Sequence, residues 1–150
     1  MKKLCLILIS SLLSVLVLAG CDKTTSAAPT AVASAKGLPD LSKNSFGFTD
    51  LSVEQLASSM ASKNFTLVNV HVPDQGNLPG TDLSIPFDQI TNRLDQLPGK
   101  DAPIVLYCRS GGMSTQAAAA LAAAGYSKVY ELDGGFNAWA ASGRELTGRQ

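Results

Sequence analysis

The chain has 150 residues, 45% of them hydrophobic, with 12 Lys+Arg against 12 Asp+Glu, one histidine and three cysteines, for a formal net charge of zero. That size suits one globular domain. The balanced charge excludes the basic face that a nucleic-acid binder needs to release phosphate counterions, and it excludes a solvating acidic tail, so no nucleic-acid partner is expected.

The first predicted element does not belong to that domain. Lys2 and Lys3 precede an uncharged apolar stretch, residues 4–19, which is short for a membrane span and suits the hydrophobic region of a secretory signal. Leu18, Ala19, Gly20 and Cys21 then resemble the bacterial lipobox, in which small residues precede a cysteine that becomes the lipidated first residue of the mature chain. The resemblance implies diacylglycerol on the sulfur of Cys21 and an acyl chain on its amine, and several acyl chains anchor stably where one is marginal. Residues 1–20 are therefore read as a lipoprotein signal peptide, residues 21–45 as the lipidated cysteine with a flexible tether, and residues 46–150 as the folded domain. Tether character comes from Ala, Ser, Thr and Pro without an aromatic residue or sustained periodicity. Asp22 resembles the signal that retains lipoproteins at the inner membrane of some Gram-negative bacteria. The expected location is extracytoplasmic, on the periplasmic face of that membrane, with the membrane a partner through the lipid.

Loss of residues 1–20 takes Lys2 and Lys3 away and leaves 10 basic and 12 acidic groups, a formal charge of −2 over 130 residues. Cys5 leaves with the signal and Cys21 becomes a thioether. One free thiol, Cys108, remains, and no intramolecular disulfide can form. In an oxidising compartment an unpaired thiol is exposed to chemistry that a structural cysteine avoids by pairing.

Within the domain, residues 52–63 read as a helix with Ser52 as N-cap and Val53, Leu56, Ala57 and Met60 at helical spacing. Residues 65–70 read as a strand, and Pro73, Gly76, Pro79 and Gly80 mark a loop. Residues 87–97 place Ile90, Leu94 and Leu97 on one helical face, stopped by Pro98 and Gly99. Residues 104–107 form a continuous apolar run, as in a strand buried on both faces of a sheet. An alanine-rich helix follows over residues 114–124, closed by Gly125. A strand over residues 129–132 and a short helix over residues 136–141, anchored in the core by Phe136 and Trp139, complete the pattern. This alternation predicts an α/β sandwich with a mainly parallel sheet.

The most informative stretch is IVLYCRSGGMSTQAAAALAAAG, residues 104–125. A buried strand ends at Cys108, a loop containing Gly111 and Gly112 follows, and a helix begins near Ser114. Ligands of open α/β sheets bind at the carboxyl ends of strands, where loop amides and a helix N-terminus converge. Two glycines let the loop curl so that successive N–H groups point inward, and the helix adds its positive end. Such a cradle favours thiolate over thiol and would equally stabilise a persulfide, Cys–S–S⁻. Arg109 adds positive charge at the mouth. One histidine and no acidic cluster at ligand spacing give no metal site, and no cofactor is implied.

The loop CRSGGMS resembles the active-site loop of the rhodanese-like sulfurtransferases, and the likeness extends over residues 48–147. Upstream, LVNVHVPDQGNLPGTDLSIP is similar to the family segment around Asp-Val-Arg and Gly-His-Ile-Pro-Gly-Ala; downstream, VYELDGGFNAW is similar to its closing Gly-Gly and Trp signature. The resemblance implies a three-layer sandwich with a central, mainly parallel sheet flanked by helices. It implies Cys108 as the nucleophile of a two-step sulfur transfer, with Arg109, Ser110, Gly111, Gly112, Met113 and Ser114 as the anion cradle. His71, the only histidine, is a substrate-binding candidate, or a hydrogen-bonded structural residue near the pocket. Implied partners are a small sulfur-containing anion such as thiosulfate and a thiol or cyanide acceptor, with a protein sulfur donor or acceptor as the alternative.

Four positions depart from the family pattern. Asn69 stands where Asp is usual, His71 where Arg is, Asn77 where His is, and Met113 where many members have Arg. Each removes or weakens a charge, which counts against the thiosulfate dianion more than against persulfide chemistry. A non-catalytic binding module and a persulfide carrier or thiol sensor are the rival readings. Phosphatases and arsenate reductases of related design need Arg six positions after the cysteine, where this chain has Ser114.

Overall fold

The computed structural model describes residues 37–148. The signal at residues 1–20 and the lipidation site Cys21 lie outside the described residues.

Among the described residues nine elements follow one another: β1 (Thr49–Leu51), α1 (Val53–Met60), β2 (Thr66–Asn69), β3 (Leu83–Ser84), a 3-10 segment (Phe87–Gln96), β4 (Ile104–Tyr107), α2 (Gly112–Ala123), β5 (Val129–Leu132) and α3 (Gly135–Ala141). The strands form one sheet in the order β1-β5-β4-β2-β3, and every neighbouring pair is parallel. The central strand β4 is fully buried and alternates its side chains between two cores. Ile104, Leu106 and Cys108 point to the side covered by α2 and the 3-10 segment, with Ala117, Ala118, Leu121 and Ile90 packed there. Val105 and Tyr107 point to the other side, against Leu56 of α1 and Phe136 and Trp139 of α3. Helices therefore cover both faces of a parallel sheet, the three-layer arrangement expected.

Local chemistry accounts for the ends of these elements. Ser52 and Gln55 form a reciprocal capping box at the start of α1, which satisfies two N–H groups that a helix end leaves unpaired. The 3-10 segment differs from the α-helix expected over residues 87–97. Pro86 gives it no side-chain cap, and Arg93 breaks it with non-helical φ −125°, ψ 33°, so it is two tight turns that still bury Ile90.

Residues 37–45 carry no regular secondary structure, and the first two of them lie against α1 and the chain that follows it. Ser59 Oγ donates to Gly37 O at 3.0 Å, and Gly37 N–H donates to Ser62 Oγ at 3.1 Å. Leu38 packs against the α1 side of the core. Gly37 sits at φ 98°, where a Cβ would come within 2.9 Å of the Asn64 side chain.

Candidate active site

Cys108 follows β4 directly, at the carboxyl end of the central strand, and its side chain is 2% exposed. The loop after it curls because Gly111 adopts φ 105°, a conformation that costs an L side chain about 1–2 kcal/mol. The curl turns Gly111 N–H onto the Cys108 sulfur at 3.2 Å. It also makes Gly111 the N-cap of α2, whose first turn closes through Thr115 N–H to Gly111 O at 2.9 Å. Helix α2 therefore starts at Gly112, two residues earlier than its composition predicts, and its amino end faces the sulfur.

Ser114, in the first turn of α2, is fully buried. Its Oγ lies 3.4 Å from Cys108 Sγ and 3.0 Å from Gly111 O, and it is also hydrogen-bonded to Glu131 Oε1. Burial pushes the Cys108 thiol up. The Ser114 hydroxyl and the amides of Ser114, Ser110 and Gly111 pull it down by more, so it sits below the ordinary cysteine value. Hydrogen bonds to the charged form outweigh desolvation without any cationic side chain among the causes.

The Gly-Gly signature downstream is explained by this loop. Phe136 N–H donates to Cys108 O at 2.9 Å and Asn137 N–H to Arg109 O at 3.0 Å. So close an approach leaves no room at Gly135, where a Cβ would stand 2.2 Å from Cys108 O. The start of α3 thereby clamps the carbonyls of the loop while the amides of the loop face the sulfur.

A cleft of about 820 Å³ opens beside the loop, lined by Asp74, Gln75, Gly76, Arg109, Ser110, Phe136, Asn137 and Gly148. Arg109 and Ser110 are exposed on its rim. Of the other candidates, Gly112 is exposed at the start of α2, and Met113 packs against the core on the α2 side. His71 is not among the lining residues. Its ring meets the Phe136 ring edge-on at 5.4 Å, its Nε2 lies 3.2 Å from Gln75 Oε1, and its Nδ1 is buried without a partner.

Asn69 and Asn77 are joined to each other. Asn69 Nδ2 donates to Asn77 Oδ1 at 2.9 Å and to Gly76 O at 3.2 Å, while Asn69 Oδ1 accepts from His71 N–H at 2.9 Å. Tyr107 OH donates to Asn77 Oδ1 at 3.2 Å and accepts from Leu78 N–H at 3.1 Å. This neutral network holds the loop that forms the far wall of the cleft.

Sequence reasoning missed Glu131. It is 2% exposed, in β5 beside Leu106 of β4 and Asp50 of β1. Its oxygens come within 4.8 Å of those of Asp50 and Asp133, an acidic cluster that spacing along the chain did not reveal. Burial pushes its carboxyl up, the Ser114 bond lowers it, and Asp133 and Asp50 raise it again, to about 7. A signal was present in the sequence. VYEL places one carboxylate inside a strand that parallel-sheet burial would make continuously apolar.

Fold and site together define a domain that carries a cysteine loop at the carboxyl end of the central strand of a parallel sheet. Residues 52–142 match the family model of the Rhodanese-like domain, and the chain belongs to that family. It is 38% identical over 98 residues to a sulfurtransferase of Allochromatium vinosum, which spans 63% of this chain and 90% of the relative. It is 33% identical over 95 residues to the thiosulfate sulfurtransferase GlpE of Shewanella oneidensis, spanning 61% of this chain and 92% of that protein. Among solved structures, the rhodanese-like domain of an Anabaena protein superposes with a TM-score of 0.60 at 26% identity, covering 66% of this chain and 78% of that one.

Proposed function

We propose that the protein is a sulfurtransferase that carries sulfane sulfur as a persulfide on Cys108. The observation that supports this best is the ring of donors around a buried sulfur with a depressed pKa, because an activated nucleophile is what covalent transfer needs. The Cys108 thiolate attacks the outer sulfur of a donor such as thiosulfate. A bond forms between the two sulfurs, the donor's own sulfur–sulfur bond breaks, and sulfite leaves with the electron pair. A cyanide or thiolate acceptor then attacks the outer sulfur and Cys108 leaves as thiolate. The amides of residues 109–114 hold the negative charge in each resting form, and no cofactor or metal takes part.

Arg109 supplies the cation that draws an anionic donor to the rim, and His71 acts through Gln75 and Phe136 on the wall of the cleft. One observation favours a second reading. Among the lining residues Arg109 is matched by Asp74, so the cleft is suited less to a dianion than to a persulfide handed over by another thiol, which would make the protein a sulfur carrier. We also propose that Cys21 is lipidated and holds the domain on the extracytoplasmic face of the inner membrane, a reading supported by the lipobox and Asp22.

The purified protein is incubated with thiosulfate, and in parallel with a low-molecular-weight persulfide, and its intact mass is recorded. A gain of one sulfur, about 32 Da, that disappears in Cys108→Ser supports the persulfide of an activated nucleophile. Uptake from the persulfide alone selects the carrier, and uptake from neither sinks both readings. For the anchor, Cys21→Ser should release the protein from the membrane fraction; continued fractionation with membranes refutes lipid anchoring there.

A further inference from the structure

The Ser114 hydroxyl has one proton and three acceptors around it: Cys108 Sγ at 3.4 Å, Gly111 O at 3.0 Å, and Glu131 Oε1 in direct hydrogen bond. It can serve one of them at a time. When Glu131 is a carboxylate it is the strongest acceptor and takes that proton, which leaves a serine lone pair facing the sulfur. When Glu131 is a carboxylic acid it donates to Ser114 Oγ, and the hydroxyl turns to the sulfur. The hydroxyl direction, and with it the donor set of Cys108, is thus set by the protonation of a side chain that does not touch the sulfur.

We infer that Glu131 is a positioning residue that stores the Cys108 proton through Ser114, so that thiolate forms in a buried site without a base from solvent. This rests on Cys108 being the reacting thiol. In the step, the S–H bond of Cys108 breaks and its proton passes to Ser114 Oγ, while the Ser114 O–H bond breaks and that proton passes to Glu131 Oε1. One negative charge moves from carboxylate to sulfur, and Ser114 is left donating to the thiolate. No oxidant or co-reactant is needed.

The surroundings suit the storing form. Asp50 on β1 and Asp133 after β5 face Glu131 with their own negative charges, and Cys108 and Ser114 close the α2 side. Burial, with the like charges of Asp133 and Asp50 adding to it, keeps its carboxyl protonated to about 7, near the pH at which a thiol must be activated. Two groups that share a proton in this way titrate as a pair, in two macroscopic steps that belong to the pair.

The test is the pH dependence of alkylation of the full chain by iodoacetamide, which reads the thiolate and needs no sulfur donor. The wild-type rate should rise in two steps. In Glu131→Gln the amide donates permanently to Ser114, and the rate should rise in one step whose midpoint lies below the upper wild-type step. In a Ser114→Ala background, Glu131→Gln should change nothing further. A Glu131→Gln profile that superimposes on wild type overturns the inference, and so does an effect that persists without the serine hydroxyl. Should a variant fail to fold, the carboxyl carbon of Glu131 is followed by NMR in the native sequence and in Cys108→Ala. Two steps in the first and one in the second are expected; one step in both overturns the relay. Because sulfur uptake and thiol alkylation are measured separately, the relay can fail while sulfur transfer stands, and the reverse.

Discussion

Gly135→Ala perturbs the point where α3 meets the cysteine loop, and its effect can be worked from the structure. The backbone there has φ +56°, and a Cβ would lie 2.2 Å from Cys108 O, 2.8 Å from Arg109 C and 2.9 Å from Arg109 O. All three atoms are backbone, so nothing flexible can move aside. The left-handed conformation costs an L residue about 1–2 kcal/mol. Relief of the clash separates α3 from the loop and breaks the bonds from Phe136 N–H to Cys108 O and from Asn137 N–H to Arg109 O, each worth about 1 kcal/mol. The expected loss is about 3–4 kcal/mol, or a fall of roughly 12–16 °C in Tm at about 4 °C per kcal/mol for a domain of this size. Gly112→Ala is the control, because nothing lies within 4 Å of its Cβ position and its φ is not left-handed; in a helix it should be neutral or stabilise by up to about 1 kcal/mol. Thermal unfolding followed by circular dichroism measures both. If Gly135→Ala melts with Gly112→Ala, the clamp between α3 and the cysteine loop is not what the close approach requires.

Two further predictions concern buried polar groups. Glu131 keeps its proton to about 7 in the folded state against 4.5 as the ordinary value. The unfolded chain therefore releases that proton first, and the folded state loses stability as pH rises from about 4.5 to 7, at most about 1.4 kcal/mol per pH unit. Allowing for partial solvent screening, Glu131→Gln should gain about 2 kcal/mol on wild type between pH 5 and pH 8 in urea unfolding, and a constant difference would refute it. Asn69→Asp removes an Nδ2 donor that serves Asn77 Oδ1 and Gly76 O and leaves a buried carboxylate facing two acceptors. It should cost about 3 kcal/mol, and Asn77→His in the same chain should recover part of that loss in a double-mutant cycle.

The larger elements were legible because their patterns are local. Ile104–Tyr107 is an apolar run, Val129–Leu132 is a short run apolar but for Glu131, and Ser52 announces α1. What was not legible is created by pairing. Thr49–Leu51 is three residues long and Leu83–Ser84 two; each is a strand because β5 or β2 supplies its hydrogen-bond partners, not because of any period of its own. The 3-10 segment kept the apolar spacing of a helix but lacked a cap, and spacing alone does not separate the two forms. At the site, Cys108 and its glycines could be read from the chain because the cradle is made by seven consecutive residues. Glu131 could not be placed with them, since only the register of β5 on β4 and the start of α2 bring it to Ser114. The contacts of Gly37 are not legible along the chain for the same reason, because Ser59 and Ser62 hold it across the fold.

Three of the four departures from the family pattern take on a physical meaning once the site is assembled. Asn69 and Asn77 satisfy each other in a neutral pair, so the charge lost at one position is balanced by the charge lost at the other, and the wall they hold remains. Met113 is half-buried and packs against the core on the α2 side. Stabilisation of the Cys108 anion therefore comes from amides fixed by the fold together with the Ser114 hydroxyl, dipoles shielded from bulk ions. Arg109, exposed on the rim, is the cleft cation that salt can screen, since the Debye length shrinks from about 10 Å at 0.1 M to about 3 Å at 1 M. The two contributions separate by experiment. Raising salt to 1 M should leave the Cys108 alkylation profile in place while it weakens capture of an anionic sulfur donor, and a thiol midpoint that moves with salt would place the stabilising charge on Arg109 instead of in the loop.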